Sequence, residues 1–570
     1  MEIIIDGQKC EAEAGQTVLE AAQQIGIKIP TLCYLKEVNE IGACRICIVE
    51  IEGKGYQTAC TFPVSEGLRI KTTSPEIRRL RKLNLELILA NHPQDCLKCE
   101  RSTNCELQSL SKELGVEKVR FAQDSGGYKL DQSTPSIVRD YNKCIKCRRC
   151  VSVCEKVQGV KALYPNQRSF KAIISPGYKQ ELKDVSCVLC GQCIHACPVA
   201  AIKEKDDTER VWQVLNDENK HVVLQIAPAV RVALGEEFEL PPGTPITEKI
   251  VTACRRLGFD KIFDTVFSAD LTIVEEGHEL LARLKNDGPL PLFTSCSPGW
   301  IKYIEHFHSD LLDHLSSCKS PQQMFGALAK SYYAETEGIE PENIVVVSIM
   351  PCTAKKFEAT REEMEVNGNR DIDIVLTTRE LARMLRVCGV DLMKLPAGEF
   401  DAPLGITTGA GDIFGITGGV MEAALRTVYE EVTENELEKL EFNQVRGFEG
   451  VREASIDLAG QEVNVAIING LGNVDEVLTA IKEGEKEYHF VEVMSCPGGC
   501  IGGGGQPIPT TEEIIVQRGK GLYDIDQAKE IRKSHENPII KEIYKDYLGE
   551  IGGQKAHNLL HTTYQERDQY

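Results

Sequence analysis

The sequence predicts a multidomain α/β protein, with small cysteine-organised modules over roughly the first 200 residues and then a large α/β domain built on parallel sheets. Three observations predict it. Of 23 cysteines in 570 residues, sixteen lie between Cys10 and Cys197, mostly in CxxC groups. Residues 138–205 hold two CxxCxxCxxxC runs, an internal repeat. Beyond about residue 210, short apolar strands alternate with helical patterns, as in parallel sheets covered on both faces.

Ile3-Ile4-Ile5 reads as a short strand ending in a turn at Gly7. Thr17–Ile25 has helical apolar spacing, and Ile48–Ile51 reads as another strand. This β-rich module, β-grasp-like in pattern, spans residues 1–78. Residues 76–90 form an amphipathic helix that opens a second module, 79–125. Residues 106–137 read as a polar connector. The cysteine repeat occupies a third module, 135–207. The remaining unit, 208–570, has predicted strands at Val222–Ile226, Lys261–Asp264, Leu290–Phe293, Ile344–Ile349 and Val463–Ile468, and a helix over Pro245–Leu257. In such sheets functional loops lie at the carboxyl ends of strands. Thr294-Ser295-Cys296 and Met350-Pro351-Cys352 occupy such ends.

The net charge of −21 argues against nucleic-acid binding, which rests on Lys and Arg neutralising phosphates. No run approaches the roughly 18 apolar residues of a membrane helix, so no membrane span is expected. The N-terminal residues Met1–Gly7 lack a basic region followed by an apolar stretch, and there is no twin-arginine leader. A cytoplasmic location is therefore expected. There, tight CxxC spacing favours metal over disulfide.

Four ligand sets emerge. Cys33, Cys44, Cys47 and Cys60 are four thiolates with one CxxC inside a β-rich module. They resemble the plant-type ferredoxin pattern with a longer first spacing, and predict a [2Fe–2S] cluster; zinc takes four thiolates equally well. His92, Cys96, Cys99 and Cys105 mix one imidazole with three thiolates, a set shared by structural zinc. Their place between redox modules favours a [4Fe–4S] cluster that keeps electrons moving. Cys144, Cys147, Cys150 and Cys154 pair with Cys187, Cys190, Cys193 and Cys197, the last followed by Pro198. This is the bacterial two-cluster run, in which the fourth cysteine of each run serves the other cluster. One [4Fe–4S] cluster thus takes Cys144, Cys147, Cys150 and Cys197, and the other Cys187, Cys190, Cys193 and Cys154.

After residue 210 three loops stand out: Thr294-Ser295-Cys296-Ser297-Pro298-Gly299-Trp300, Met350-Pro351-Cys352-Thr353-Ala354-Lys355-Lys356-Phe357-Glu358, and the glycine-rich stretch from Glu492 to Pro507 that contains Cys496 and Cys500. Alone, each cysteine is a small hydrophobe and each glycine run a turn. Together they resemble the three signature loops of the [FeFe] hydrogenases, and the N-terminal cluster sets resemble those of the larger clostridial-type members.

The resemblance implies an enzyme that reversibly interconverts H2 with two protons and two electrons. It implies one [2Fe–2S] cluster, three accessory [4Fe–4S] clusters and an H-cluster. The H-cluster is a [4Fe–4S] cubane joined by a cysteine to a diiron unit carrying CO, CN⁻ and azadithiolate. Cys352, Cys496 and Cys500 would ligate the cubane, with Cys500 as the bridge. Lys355 would hydrogen-bond a cyanide. Met350, Met494 and Phe414 would line the diiron pocket, with Ala227, Pro228, Ser320 and Gln322 around the inorganic ligands. Protons would pass through Cys296, Glu276, Ser316, Glu279 and Arg283. On a helix Glu276 and Glu279 share a face, and Arg283 follows Glu279 at i+4. Without the resemblance, this stretch is an ordinary charged helix face.

The family's first loop has two adjacent cysteines, and here the second is Ser297. Three outcomes are open: ligation through the Ser297 oxygen, substitution by Cys296, or a weakly held cubane. An H2-sensing or low-activity relative is the alternative this departure keeps alive. Residues 1–110, including Cys105-Glu106-Leu107-Gln108, also resemble the N-terminal region of complex I's large peripheral subunit. The implied partners are ferredoxin, or an NADH-oxidising flavoprotein with small [2Fe–2S] subunits, because the chain has no GxGxxG dinucleotide fingerprint. Cys10, Cys254, Cys318 and Cys388 lie outside every motif and are expected to be packing residues.

Overall fold

The computed structural model describes residues 1–122, 126–286, 288–437, 439–458 and 460–569. Residues 123–125, the end of the expected second module, lie outside the described residues.

Alternation along Glu2–Ile5 and Ile48–Ile51 sends Ile3, Ile5, Val49 and Ile51 into one small core. Five strands pair in the order Gln8–Glu11, Glu2–Ile5, Arg69–Lys71, Ile48–Ile51, Gly55–Thr58. Only the pair Glu2–Ile5 with Arg69–Lys71 is parallel. Helix Val18–Gln24 starts in a capping box, where Thr17 and Glu20 satisfy each other's backbone N–H groups. Helix Pro75–Leu89 begins with Ser74 as cap and Pro75 in its first turn.

The polar connector expected over 106–137 is helical at its start. Glu106–Glu113 forms a helix that turns Leu107 and Leu110 into the core around the cysteine repeat. Two apolar residues in eight are too short a helical signal to stand out, and packing rather than propensity supplies the stability. Strands Ile137–Arg139 and Ile202–Glu204 pair antiparallel and close the module that carries both cysteine runs.

The large unit has two four-stranded sheets. One runs Lys261–Asp264, His221–Ile226, Ile344–Met350, Ile374–Thr377, all parallel. The other runs Leu292–Phe293, Phe490–Met494, Gln461–Asn469, Val451–Leu458. Its first three strands are parallel and its last pairs antiparallel. That strand departs from the expectation of parallel sheets because only two residues separate it from its neighbour, and a parallel connection needs a crossover of about a dozen. The strand expected over Leu290–Phe293 shortens to Leu292–Phe293, since Pro291 has no N–H for the ladder. The helix expected from Pro245 begins at Thr247.

Helix Thr265–Lys285 joins the two halves. Phe267, Leu271 and Val274 pack into the core of the first sheet, while Ala269, Ile273 and Leu280 pack into the core of the second. Buried Arg231 ties the loop after strand His221–Ile226 to both Asp264 (2.6 Å) and Asp412 (2.7 Å). The carboxyl ends of the two sheets face a shared space, lined by Ala227, Met350 and Cys352 from the first and Cys296 from the second. The C-terminal segment, with helices Glu512–Ala528 and Gln554–Leu560, returns to residues 317–319. There Lys319 N–H donates to Leu560 O and Thr562 N–H to Ser317 O, both at 2.7 Å. Among the described residues no helix is long and apolar enough to cross a membrane.

Candidate active site and its cysteine relay

In the first module the four cysteines fall into two close pairs. Cys47 Sγ lies 3.3 Å from Cys60 Sγ, and Cys33 hydrogen-bonds Cys44. In the third module Cys144, Cys147, Cys150 and Cys197 line one cavity, while Cys154, Cys187, Cys190 and Cys193 line another. The crossed grouping expected from the sequence is the spatial one. Buried Arg139 borders both cavities and donates to Ile174 O (2.7 Å). His92 Nδ1 donates to Lys143 O (3.0 Å), Cys96 is exposed, and Cys99 and Cys105 are half-buried.

A single zinc ion holds four donors at about 2.0–2.3 Å, so they must crowd within roughly 4 Å of one another. Among the described residues, two groups of His, Cys, Asp or Glu have ligand atoms mutually within 4.8 Å: Glu279–Cys318–His561 and Glu430–His535–Glu536. Neither group belongs to the relay.

At the carboxyl ends of the sheets, Ala227 and Pro228 follow strand His221–Ile226. Cys296 follows Leu292–Phe293, Cys352 follows Ile344–Met350, and Cys496 follows Phe490–Met494. Ala227, Pro228, Cys296, Gln322, Met350, Cys352, Lys355, Phe414 and Cys500 line one cavity of about 60 Å³. Met494 is buried with Phe414 in the second core. Cys496 has Cys352 and Cys500 as charged neighbours, and Cys190 of the relay has Cys496 as one.

The glycine-rich loop fits closely against its neighbours. A Cβ at Gly499 (φ +89°) would come 2.8 Å from Thr417 N, and one at Gly503 would come 2.4 Å from Pro351 O. Relay and loop also touch directly. Gln192 Nε2 donates to Gly502 O (2.9 Å), His195 Nε2 to Gly503 O (2.7 Å), and Thr353 Oγ1 to Leu189 O (2.7 Å). A Cβ on Gly191 (φ +76°) would stand 2.9 Å from Gly504 Cα.

Lys355 Nζ lies 3.0 Å from both carboxylate oxygens of Glu358. The same carboxylate accepts from Ser320 Oγ and Gln322 Nε2, each at 2.9 Å. Gln322 Oε1, buried, has no partner. Ser297 sits at the N-cap position of helix Pro298–Phe307 with its side chain turned away from the helix end; its Oγ lies 2.7 Å from Ser495 Oγ and accepts from Ser495 N–H (3.4 Å).

Of the residues expected on a proton path, Glu276, Glu279 and Arg283 lie on helix Thr265–Lys285, and Ser316 meets them from the loop beyond. Ser316 Oγ donates to Glu279 Oε2 (3.1 Å), and Arg283 Nη2 donates to Glu279 Oε1 (2.6 Å). Burial pushes the Glu276 carboxyl up to about 8, and the Glu279 charge adds to the effect; hydrogen bonds from Ser316 and the Ser295 backbone oppose it. Burial also pushes the Cys296 thiol well above its ordinary range, helped by the charges of Glu276 and Cys500.

Several site neighbours went unread in the sequence. Glu358 stands three residues after Lys355 on one short helix, a spacing that marks a pair. Glu492 is buried, pushed up to about 7 by desolvation, and accepts the N–H groups of Gly418 (2.6 Å) and Met421 (2.7 Å). Burial lowers His195 to about 3, so it is a neutral donor. Arg139, Ser495 and His195 carry no local signal. Cys10, Cys254 and Cys318 are buried as expected, but Cys388 is exposed, near the end of a helix whose apolar face points elsewhere.

Residues 220–504 match the family described as "Iron only hydrogenase large subunit, C-terminal domain", and residues 512–567 "Iron hydrogenase small subunit". Ahead of them, residues 1–75 match a 2Fe-2S iron-sulfur cluster binding domain, 81–120 the NADH-ubiquinone oxidoreductase-G iron-sulfur binding region, and 143–201 a 4Fe-4S dicluster domain. The chain is 47% identical to the NADP-reducing hydrogenase subunit HndD of Solidesulfovibrio fructosivorans, over 99% of both chains. It is 43% identical to iron hydrogenase 1 of Clostridium pasteurianum, over 99% of this chain and 100% of that one. Among solved structures, a variant of the apo [FeFe]-hydrogenase HydA1 from Chlamydomonas reinhardtii superposes with a TM-score of 0.59 at 44% identity, covering 64% of this chain and 100% of the other. The chain therefore belongs to the iron-only hydrogenases, with iron–sulfur domains ahead of the hydrogenase domain and a small-subunit region behind it.

Proposed function

We propose that this hydrogenase interconverts H2 with protons and electrons at the cavity bordered by Cys296, Lys355, Cys352 and Cys500, fed by a relay of four clusters along units 1–78, 79–125 and 135–207. The observation that carries this reading is the main-chain contact between the relay and the glycine-rich loop, where a Cβ on Gly191, next to Cys190, would stand 2.9 Å from Gly504 Cα.

The donor sets fit the groups. Two thiol pairs suit a [2Fe–2S] cluster, each iron taking one pair, better than a single zinc that draws all four inward. Cys144, Cys147, Cys150 and Cys197 would hold one [4Fe–4S] cluster, and Cys154, Cys187, Cys190 and Cys193 another. His92, Cys96, Cys99 and Cys105 would hold the third. Cys352, Cys496 and Cys500 would hold the cubane, with Cys500 also facing the diiron unit. The orphaned Gln322 Oε1 and the cation of Lys355 suit polar diatomic ligands. When bound, the H-cluster supplies the making and breaking of the H–H bond and stores the electrons. The protein's own residues position it, exclude water and move protons: Cys296 and Glu276 on the cavity side, Ser316 and Glu279 behind them, and Arg283 against Glu279.

Electrons would reach the relay from ferredoxin, or from a flavoprotein that oxidises a nicotinamide nucleotide together with small [2Fe–2S] subunits. The NADP-reducing function in the name of the Solidesulfovibrio relative favours the second route. Such oxygen-sensitive thiolate clusters suit a reducing cytoplasm.

The test is iron quantitation with EPR and infrared spectroscopy after installing the diiron unit, followed by H2 assays. CO and CN⁻ bands with turnover are expected; a fully loaded site without turnover overturns the reading. Arg139→Gln is expected to lower the potentials of both clusters beside it by tens of millivolts in an EPR-monitored titration, since it removes a buried cation. The low-activity reading rests on Ser297. Ser297→Cys is expected to slow iron loss to a chelator and raise the cubane potential, because a thiolate replaces a weaker oxygen donor. A tenfold or greater rise in turnover would mark the parent as the low-activity form.

A further inference from the structure

Glu279 is the outer carboxylate of the proposed proton path, and Arg283 is its outermost neighbour. Arg283 is held by four hydrogen bonds. Its Nη2 donates to Glu279 Oε1 (2.6 Å) and Leu315 O (2.8 Å), and its Nη1 to Pro289 O (3.0 Å) and Asp313 O (3.1 Å). A guanidinium has no lone pair to accept a proton and does not lose one near neutral pH. Arg283 can orient Glu279 but cannot pass its proton on.

The same carboxylate has a second outlet. Ser317 Oγ lies 3.2 Å from Glu279 Oε2 and 2.8 Å from His561 Nδ1. His561 Nε2 lies 3.1 Å from Glu275 Oε2. Glu275 is itself buried and accepts from the Tyr544 hydroxyl and from Gly552 N–H (3.1 Å). A carboxylate that accepts from Nε2–H leaves the Nδ1 lone pair facing Ser317, the tautomer that can receive a proton. Exposed His557 stacks on the His561 ring with centroids 4.6 Å apart, over a side chain only 5% exposed, and the chain reaches the surface at exposed Gly552, beside Glu275. Backbone hydrogen bonds between residues 317–319 and 560–562 fix this spacing.

We propose that protons enter and leave the path through Ser317 and His561, with Arg283 as a positioning residue. This rests on the proton path proposed above. In the outward direction the Glu279 carboxylic acid gives its proton to Ser317 Oγ while the Ser317 hydroxyl proton moves to His561 Nδ1. The products are a Glu279 carboxylate, an intact Ser317 and a His561 imidazolium paired with Glu275. Release of the Nε2 proton through Glu275, which borders exposed Gly552, leaves the ring as the neutral Nδ1–H form, and a turn of the ring restores the Nε2–H form. The inward direction is the reverse.

The test compares His561→Ala, His561→Gln, Ser317→Ala and Arg283→Gln in the loaded enzyme, with and without added imidazole. His561→Ala and Ser317→Ala are expected to lower turnover by about tenfold or more, the low end of what loss of a proton-transfer group costs. Imidazole should restore His561→Ala and leave Ser317→Ala unchanged. Arg283→Gln should fall by a smaller factor and ignore imidazole. A second readout needs no turnover: deuterium exchange into the Glu276 carboxyl group, followed by its C=O stretch in protein lacking the diiron unit. It should slow in His561→Ala and recover with imidazole. Wild-type turnover and exchange in His561→Ala overturn the port. So does full activity in His561→Gln, which keeps hydrogen bonds without carrying protons. If Glu276→Gln retains turnover, the path itself fails, whichever way His561 behaves.

Discussion

Glu276→Gln is expected to lower H2 turnover in both directions by about 10²–10⁴-fold, the range for losing a positioned proton-transfer group. The substitution keeps the shape of a side chain that is buried on the helix between the two cores. It removes only the ability to gain and lose a proton. Burial raises this carboxyl to about 8, so below that pH it is a neutral acid and above it a carboxylate. H2 evolution needs the acid form and should fall as pH rises through about 8. H2 oxidation needs the base form and should rise over the same interval. The sign for stability follows the same shift. The folded state holds this proton more tightly than the unfolded chain, so its contribution is complete below the ordinary carboxylate pKa and is lost as pH climbs towards 8. Glutamine should flatten both rate profiles and remove that part of the alkaline loss of stability. Paired pH–rate profiles and thermal melts check the two effects, and an unchanged profile in the variant would mean that another group sets the pH dependence.

Cys500→Ser is expected to abolish turnover and the CO and CN⁻ infrared bands, while the EPR signals of the accessory clusters remain. Cys500 lines the cavity with Cys296 and Lys355 and also lies beside Cys352 and Cys496. It is the thiol that faces both halves of the proposed cofactor, so its loss should remove both. Iron per chain should fall by at least the four atoms of the cubane. Cys388→Ser, at an exposed thiol, should change neither iron nor activity. Retained infrared bands in Cys500→Ser would place the bridge elsewhere.

Much of this site was legible because cluster chemistry writes itself locally. A CxxCxxCxxxC run gathers three thiols from one turn of chain, so spacing alone nominates Cys144, Cys147 and Cys150. The apolar run Ile344–Met350 could only be a buried strand, and its end fixed the position of Cys352. What spacing cannot show is a contact made across the fold. Arg139 borders two cysteine cavities from an unremarkable short strand. His561 meets Ser317 only because the C-terminal segment returns across 244 residues. The helix Glu106–Glu113 was missed for a related reason, since its two inward leucines have meaning only against a core supplied by other modules. The antiparallel Val451–Leu458 strand has the same apolar alternation as any half-buried strand, and its direction is set by the short link that follows it.

The contact between Gly191 and Gly504 sets a length. Each lacks a Cβ where one would collide with the other's main chain; a Cβ on Gly504 would stand 2.6 Å from Gly191 Cα. Two peptide backbones therefore meet with nothing between them, one from the last relay loop and one from the catalytic loop. On the proposed relay, an electron crossing there would have the thickness of two main chains to pass. Unlike a gap filled by side chains, it does not vary with rotamer, protonation or drift in the surrounding sequence. The wiring of the enzyme is gauged at this point by the one residue type that cannot alter it.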